Sequence, residues 1–136
     1  MKGHMESLAE INYRMETGKI KARPTSYRGI EFRSRLEVRY AWYLDDIGER
    51  WRYEPRVYGP KGRGYLPDFE ILGRRQPTFI EVKPTIAEAP DALAKMAVIW
   101  DTHPDALLIV ACEEGWTYYA ALQGWDPETW HQGWAA

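Results

Sequence analysis

The fold of this chain can be worked out from two segments, Tyr65-Leu66-Pro67-Asp68-Phe69 and, after a short turn, Phe79-Ile80-Glu81-Val82-Lys83. Alternate residues of an extended chain point to opposite sides, so Glu81 and Lys83 share one face while the apolar residues between them point into a core. Charged groups beside a core are costly unless they are paired or bind a metal. The second segment is therefore either a surface strand with charged outer residues, or part of a site that includes Asp68.

Three strands are expected around this stretch. Residues 51–58 alternate large apolar and charged residues, which is typical of a half-buried strand, and Pro55 within them favours an edge position. Residues 65–72 and 78–83 would be the second and third strands, the last one stopped by Pro84. Turns rich in Gly connect the three at residues 59–64 and 73–77. Such short connections predict antiparallel neighbours.

A helix precedes these strands. Apolar residues recur at spacings of three and four, which indicates one buried stripe of a helix. They are Phe32, Leu36, Tyr40, Tyr43, Leu44 and Ile47. Gly48 stands where a helix commonly ends in a residue with positive φ. Glu37 is predicted at the edge of the stripe, either as a surface residue paired with Arg33 or as part of a site.

A helix over residues 90–102 and a buried strand over residues 105–112 are expected next. A strand, a helix and a strand in this order predict a crossover and a parallel pair. The sheet would then be mixed and the fold class α+β, with residues 116–120 as a possible further strand. We expect a single domain over residues 1–136, whose core spans 26–112.

The two ends of the chain are expected to be extensions of this core. Residues 1–25 would form an N-terminal arm that contains a short helix over 6–16 and a basic linker over 19–24. Residues 113–136 would form a Trp-rich extension, with Trp116, Trp125, Trp130 and Trp134. These tryptophans could stack on bases, although aromatic residues near a terminus more often close a core or a subunit contact.

Charge is unevenly distributed along the chain. Residues 1–83 contain 17 of the 18 Lys and Arg residues and 12 acidic residues, whereas residues 84–136 contain one Lys and 8 acidic residues. The basic part would suit a phosphate-backbone ligand, or it is simply solvated. The single Cys112 fits a reducing compartment. No apolar run reaches the length of a membrane span and no secretion signal is recognised, so a cytoplasmic location is expected.

The carboxylates allow a specific chemistry. On adjacent strands, Asp68 and Glu81 can enter the coordination sphere of one hard cation such as Mg²⁺, which binds one or two carboxylates together with phosphate and water. The backbone carbonyl of Val82 and the side chain of Glu37 would be further oxygen ligands. Lys83 could orient a water molecule or neutralise charge on a phosphate. No Cys/His spacing indicates a zinc site.

These residues resemble a known family. Pro67-Asp68 followed by Glu81-Val82-Lys83 is similar to the motif of the PD-(D/E)xK nuclease superfamily. The resemblance extends over roughly residues 27–110 and is to the small phage-type members of that superfamily and to transposon endonuclease subunits. The runs that support it are Phe32-Arg33-Ser34-Arg35-Leu36-Glu37 and Trp51-Arg52-Tyr53-Glu54-Pro55. The resemblance implies a restriction-endonuclease-like core and an active site of Glu37, Asp68, Glu81 and Lys83. It also implies Mg²⁺ or Mn²⁺ as cofactor and DNA as substrate.

The expected function is therefore a divalent-metal-dependent DNA endonuclease of a phage or mobile element, which acts in branched-DNA resolution, transposition or DNA processing in the cytosol of a host cell. Alternatives are a non-catalytic nucleic-acid-binding or assembly module, and an RNA-directed nuclease. The residues expected to contact nucleic acid are Arg28, Arg33, Arg35, Lys61 and Arg63. A domain this small offers little surface for reading DNA, so a homodimer or a recognition partner protein is expected.

Overall fold

A computed structural model describes residues 25–124 of the chain. The chain divides into two compact units, Met1–Ile47 and Gly48–Ala136, which are described one at a time. The helix expected over residues 6–16, the basic linker over 19–24 and the three tryptophans beyond residue 124 lie outside the described residues. Within the described residues, no helix is long and apolar enough to cross a membrane.

The described part of the first unit is a small hairpin followed by a helix. Strands β1 (Ser26–Tyr27) and β2 (Ile30–Glu31) pair in antiparallel fashion. Arg28 and Gly29 connect them with φ values of 55° and 78°, as a two-residue hairpin turn requires. Helix α1 (Arg35–Asp46) begins after Ser34, whose hydroxyl accepts a hydrogen bond from the Glu37 N–H at 3.1 Å.

The expected helix is confirmed, but its buried face is shifted around the axis. Ile47 was expected in the buried stripe and is 52% exposed. Glu37 was expected at the edge and is 7% exposed. The buried residues of α1 are Glu37, Val38, Tyr40, Ala41 and Leu44. Gly48, with φ of 80°, follows the helix as expected.

The hairpin is fastened to the last turn of α1. The Tyr27 hydroxyl donates a hydrogen bond to Asp45, and the Arg28 guanidinium contacts both oxygens of that carboxylate at 3.0 Å. Burial of Tyr27 and its bond to Asp45 raise the pKa of the phenol well above its usual range. The Tyr27 and Trp42 rings lie 5.6 Å apart. Asp45 therefore holds the hairpin and the helix together.

The second unit contains a five-stranded mixed sheet. Its strands stand in the order β3-β4-β5-β6-β7. Neighbours are antiparallel except for β5 and β6, which are parallel, so the expected mixed sheet and crossover are confirmed. The strands are β3 (Arg50–Tyr53), β4 (Phe69–Leu72), β5 (Thr78–Lys83), β6 (Leu107–Cys112) and β7 (Thr117–Ala121).

Two strands are shorter than predicted. The strand expected over residues 51–58 ends at Tyr53, because Glu54 takes a positive φ of 46° and Pro55 follows it. The strand expected over residues 65–72 begins only at Phe69. Between them, Tyr58 and Tyr65 form an isolated antiparallel bridge that closes the expected turn over residues 59–64. Pro55 does lie beside an edge strand, as expected.

The crossover from β5 to β6 covers one face of the sheet. It consists of a 3₁₀ turn, helix α2 (Ala89–Met96) and a second 3₁₀ segment, Ala97–Asp101. Pro90 lies in the first turn of α2, where its missing N–H has no cost. The core under the crossover includes Phe79, Leu93, Met96, Ile99, Leu108 and Val110. Trp100 packs against this core and is partly buried.

Candidate functional site

Asp68 lies at the point where β4 begins. The residue is 2% exposed, and its Oδ2 accepts a hydrogen bond from the backbone N–H of Val82 at 2.8 Å. Its own carbonyl accepts from the Glu54 N–H at 2.8 Å. A buried carboxylate is costly without such partners. These contacts fix the Asp68 side chain beside the end of β5.

Glu81 lies on β5, one residue before the Val82 N–H that Asp68 binds. The last residue pair of the β4/β5 ladder is Phe69 with Ile80, and Asp68 and Glu81 are their neighbours in the chain. Glu81 is 9% exposed. That these two carboxylates share one cation stays a prediction from the sequence.

Both oxygens of the Glu81 carboxylate have protein partners. The Tyr65 hydroxyl donates a hydrogen bond to Oε1. The Lys83 Nζ lies 3.4 Å from Oε2, in an ion pair whose Lys side chain is 32% exposed. As alternate residues of a strand should, Glu81 and Lys83 point to the same side.

That side of β5 is not the open front that the sequence suggested. Phe79 lies on it together with Glu81 and Lys83, and is fully buried in the core under α2. Ile80 and Val82, on the opposite face, are 4% and 6% exposed. Of the two alternatives for this strand, a surface strand with charged outer residues does not hold, because Phe79 and Glu81 are buried on the side that the crossover covers. The carboxylate is thus removed from bulk water, which strengthens its electrostatic interactions.

A cavity of about 160 Å³ opens at this point between β5 and α2. Its lining residues are Tyr65, Glu81, Lys83, Glu88, Asp91, Ala92 and Lys95. Sequence reasoning missed Tyr65 and the three charged residues of the crossover. The sequence did distinguish Lys95, because it is the only Lys or Arg in residues 84–136.

The donor set around Asp68 fits a hard divalent cation. The Val82 N–H points towards Asp68, and in an extended strand the carbonyl of the same residue points to the same side. Two carboxylates and a carbonyl are oxygen ligands of the kind that Mg²⁺ prefers. Among residues 25–124, however, no group of three or more His, Cys, Asp and Glu side chains is arranged to hold a metal.

Glu37, the fourth predicted site residue, belongs to the first compact unit. Its Oε1 accepts a hydrogen bond at 3.0 Å from the N–H of Arg33, which lies just before the N-terminus of α1. Glu37 is therefore buried and bonded to the Arg33 backbone, whereas one of the two expectations described it as a surface residue. Its membership of the site stays a prediction from the sequence.

The five residues predicted to contact nucleic acid are all exposed. Arg28 is 60% exposed and paired with Asp45. Arg33 and Arg35 flank the N-terminus of α1 and are exposed. Lys61 and Arg63 are exposed in the turn that Tyr58 and Tyr65 close.

Cys112 is fully buried at the end of β6. Its removal from water, with smaller contributions from Glu88 and Glu114, raises the pKa of the thiol to about 11. The thiol is therefore protonated at neutral pH and unsuited to act as a nucleophile.

No protein-family model matches this chain, and a search of curated proteins finds no match either. The described residues define a mixed α+β protein with a five-stranded sheet and two α-helices. Its candidate site is a pair of buried carboxylates with an adjoining lysine and tyrosine.

Proposed function

We propose that this protein is a divalent-metal-dependent endonuclease that hydrolyses phosphodiester bonds of DNA. The observation that carries the proposal is that Asp68 and Glu81 are both buried beside the end of β5, where Asp68 accepts a hydrogen bond from the Val82 N–H and Lys83 Nζ lies 3.4 Å from Glu81. The resemblance of these residues to the PD-(D/E)xK motif supports it. A restriction-endonuclease-like arrangement of the mixed sheet is part of the same proposal.

Each residue has a distinct part in the proposed reaction. Asp68, Glu81 and the Val82 carbonyl would hold the cation, which when bound supplies positive charge beside the scissile phosphate. Lys83 is partly exposed, so its ammonium can reach a substrate phosphate from the rim of the cavity. There it would neutralise negative charge that develops during bond cleavage. Phe79, two residues before Glu81 in β5, is fully buried.

Charge on the second unit supports a polyanionic substrate. Residues 50–75 contain seven Lys and Arg residues against three acidic residues. The seven are exposed: Arg50, Arg52, Arg56, Lys61, Arg63, Arg74 and Arg75. Two form surface pairs, Arg52 with Glu70 and Arg74 with Glu49. Such exposed pairs are weak, so a phosphate can displace the acidic partner.

The edge strand β3 presents part of this charge on the face that carries the site. Arg52 pairs across the sheet with Glu70, and Glu70 pairs with Phe79. Directly opposed residues share a face, so Arg52 stands on the same face as Glu81. A phosphate backbone that follows this face from β3 would reach Lys83.

Replacing Lys61 and Arg63 by Gln is expected to weaken DNA binding and to reduce its salt dependence. Each lost phosphate contact lowers the slope of log K against log salt by about one, so the double variant should lose about two. Binding is measured in EDTA by fluorescence anisotropy at several salt concentrations. The control is Thr102→Glu with Gln123→Glu, which lowers the net charge equally at exposed positions of the acidic segment. Equal slopes for the two double variants would contradict a role for the turn.

One observation favours the alternative of a non-catalytic nucleic-acid-binding or assembly module. Both oxygens of Glu81 have protein partners and Asp68 bonds the Val82 N–H, so these carboxylates already contribute to a closed polar network. Such a network can serve to fix a fold without binding a metal.

A cleavage panel separates these functions. Purified protein is incubated with Mg²⁺ or Mn²⁺ on branched, nicked, linear and single-stranded DNA, and on matched RNA. Metal-dependent cutting of at least one DNA substrate is expected. Binding without cutting, unaffected by Asp68→Asn, would favour the module, and cutting of RNA alone would indicate an RNA-directed enzyme. Light scattering of the same samples tests the proposed homodimer.

A further inference from the structure

We infer that Tyr65 is a positioning residue that orients the Glu81 carboxylate for a divalent cation. The inference rests on the proposed function, since it assigns a role within the same site. Tyr65 donates its hydroxyl proton to Glu81 Oε1 and lines the cavity next to it. A metal-binding side chain commonly depends on such a partner for its orientation, and loss of the partner typically costs 10–100-fold in metal affinity or activity.

The Tyr65 backbone is held firmly enough for this role. Its N–H donates to the Tyr58 carbonyl at 2.7 Å, and its carbonyl accepts from the Tyr58 N–H at 2.8 Å. Tyr58 is 3% exposed, and its ring meets Phe79 edge-on at 5.4 Å between centroids. Phe79 stands two residues before Glu81 in β5. Tyr65 is thus anchored to the strand that carries its target.

The contacts on Glu81 are of a kind that a metal-binding carboxylate keeps. The Tyr65 hydroxyl contacts Oε1, and the Lys83 ammonium lies nearest Oε2. An ionised carboxylate accepts several contacts at once, so a partner on each oxygen is compatible with metal binding. The two partners together restrict the rotation of a side chain that would otherwise be mobile. The hydroxyl therefore prepares the carboxylate for the cation without excluding it.

Tyr65 also connects the site to the basic turn over residues 59–64. The turn needs glycine at both ends. A Cβ on Gly59 would lie 2.8 Å from the Val98 side chain, and one on Gly64 would lie 2.3 Å from the Val57 side chain. The turn that contains Lys61 and Arg63 ends directly at Tyr65, where the bridge to Tyr58 closes it. The residue that contacts Glu81 is therefore also the residue that closes the basic turn.

Tyr65→Phe tests the inference, because it removes the hydroxyl and keeps the ring. Mn²⁺ binding is titrated calorimetrically without DNA, and the metal dependence of cleavage is measured in parallel. We expect about tenfold weaker Mn²⁺ binding, and a kcat that returns close to the wild-type value at saturating Mn²⁺. Tyr119→Phe is the matched control, since Tyr119 packs on the same core but lies two strands away from Glu81 on β7. The control should bind Mn²⁺ as the wild type does.

The outcomes separate this inference from the proposed function. Equal Mn²⁺ affinity of Tyr65→Phe and wild type would overturn the role of Tyr65, whether or not DNA is cut. Wild-type protein that binds Mn²⁺ and leaves DNA intact would refute the nuclease, while weaker binding by Tyr65→Phe would still support the inference. Wild-type protein that binds no Mn²⁺ would overturn both. Circular dichroism of each variant ensures that an affinity change does not reflect unfolding.

Discussion

Exchange of Asp68 for Asn is expected to reduce metal-dependent DNA cleavage by about a thousandfold, the upper end of the cost of losing one preorganised electrostatic group. The Asn carbonyl can still accept the hydrogen bond that Asp68 Oδ2 receives from the Val82 N–H. The fold should therefore survive while the negative charge disappears. Initial rates on the best substrate of the panel, at fixed Mg²⁺, provide the measurement.

Asn is a sharper replacement than Ala at this position. Asp68→Ala would leave the buried Val82 N–H without its acceptor, at a cost of about 1–3 kcal/mol in stability. Loss of activity in that variant would then mix chemistry with unfolding. The matched control is Asp105→Asn, which makes the same change at an exposed position. If Asp68→Asn and Asp105→Asn cleave DNA equally well, Asp68 holds no catalytic metal.

Truncation of Phe79 to Ala is expected to have the largest effect on stability, about 3–5 kcal/mol in the free energy of unfolding. Phe79 is fully buried, and its ring contacts Tyr58 at 5.4 Å and His103 at 5.9 Å between centroids. Removing it opens a cavity beneath α2 directly beside Glu81. Since domains are commonly stable by only about 5–15 kcal/mol, a substantial unfolded fraction is expected.

Urea unfolding followed by circular dichroism measures this loss. Phe79→Leu keeps most of the volume and should cost less than half as much as Phe79→Ala. Val57→Ala removes an apolar side chain that is 55% exposed, and its effect should stay within about 0.5 kcal/mol. A Phe79→Ala variant as stable as Val57→Ala would contradict the description of the core under the crossover.

The elements that could be predicted from the sequence are those with local signals at both ends. Strand β5 runs from Thr78 to Lys83 as expected, because a turn precedes it and Pro84 ends it. Gly48 marked the end of α1 for the same reason. The end of β3 could not be predicted in this way, since alternation continues to Tyr58 and only the positive φ of Glu54 interrupts the strand.

The composition of the site was only partly predictable, because its parts are distant in the chain. Asp68 and Glu81 could be recognised by their spacing along two strands. Tyr65 reaches Glu81 only because the turn over 59–64 folds back, and periodicity contains no information about that contact. Asp91 and Lys95 reach the cavity because the crossover lies on the Glu81 face rather than the other one. A crossover helix follows from the strand order, but the particular side chains that face β5 depend on packing.

The parallel pairing of β5 with β6 has a consequence for the order of assembly. The pair is closed by a crossover over residues 84–106, whereas β3, β4 and β5 are joined by local turns. Contacts between segments that are distant in the chain form slowly, because closing the loop between them costs chain entropy before any contact energy is gained. The three-stranded antiparallel array can form first, and Glu81 then lies on its outermost strand. The surroundings of Glu81 are therefore complete only after β6 has paired with β5 and the crossover has packed against the sheet.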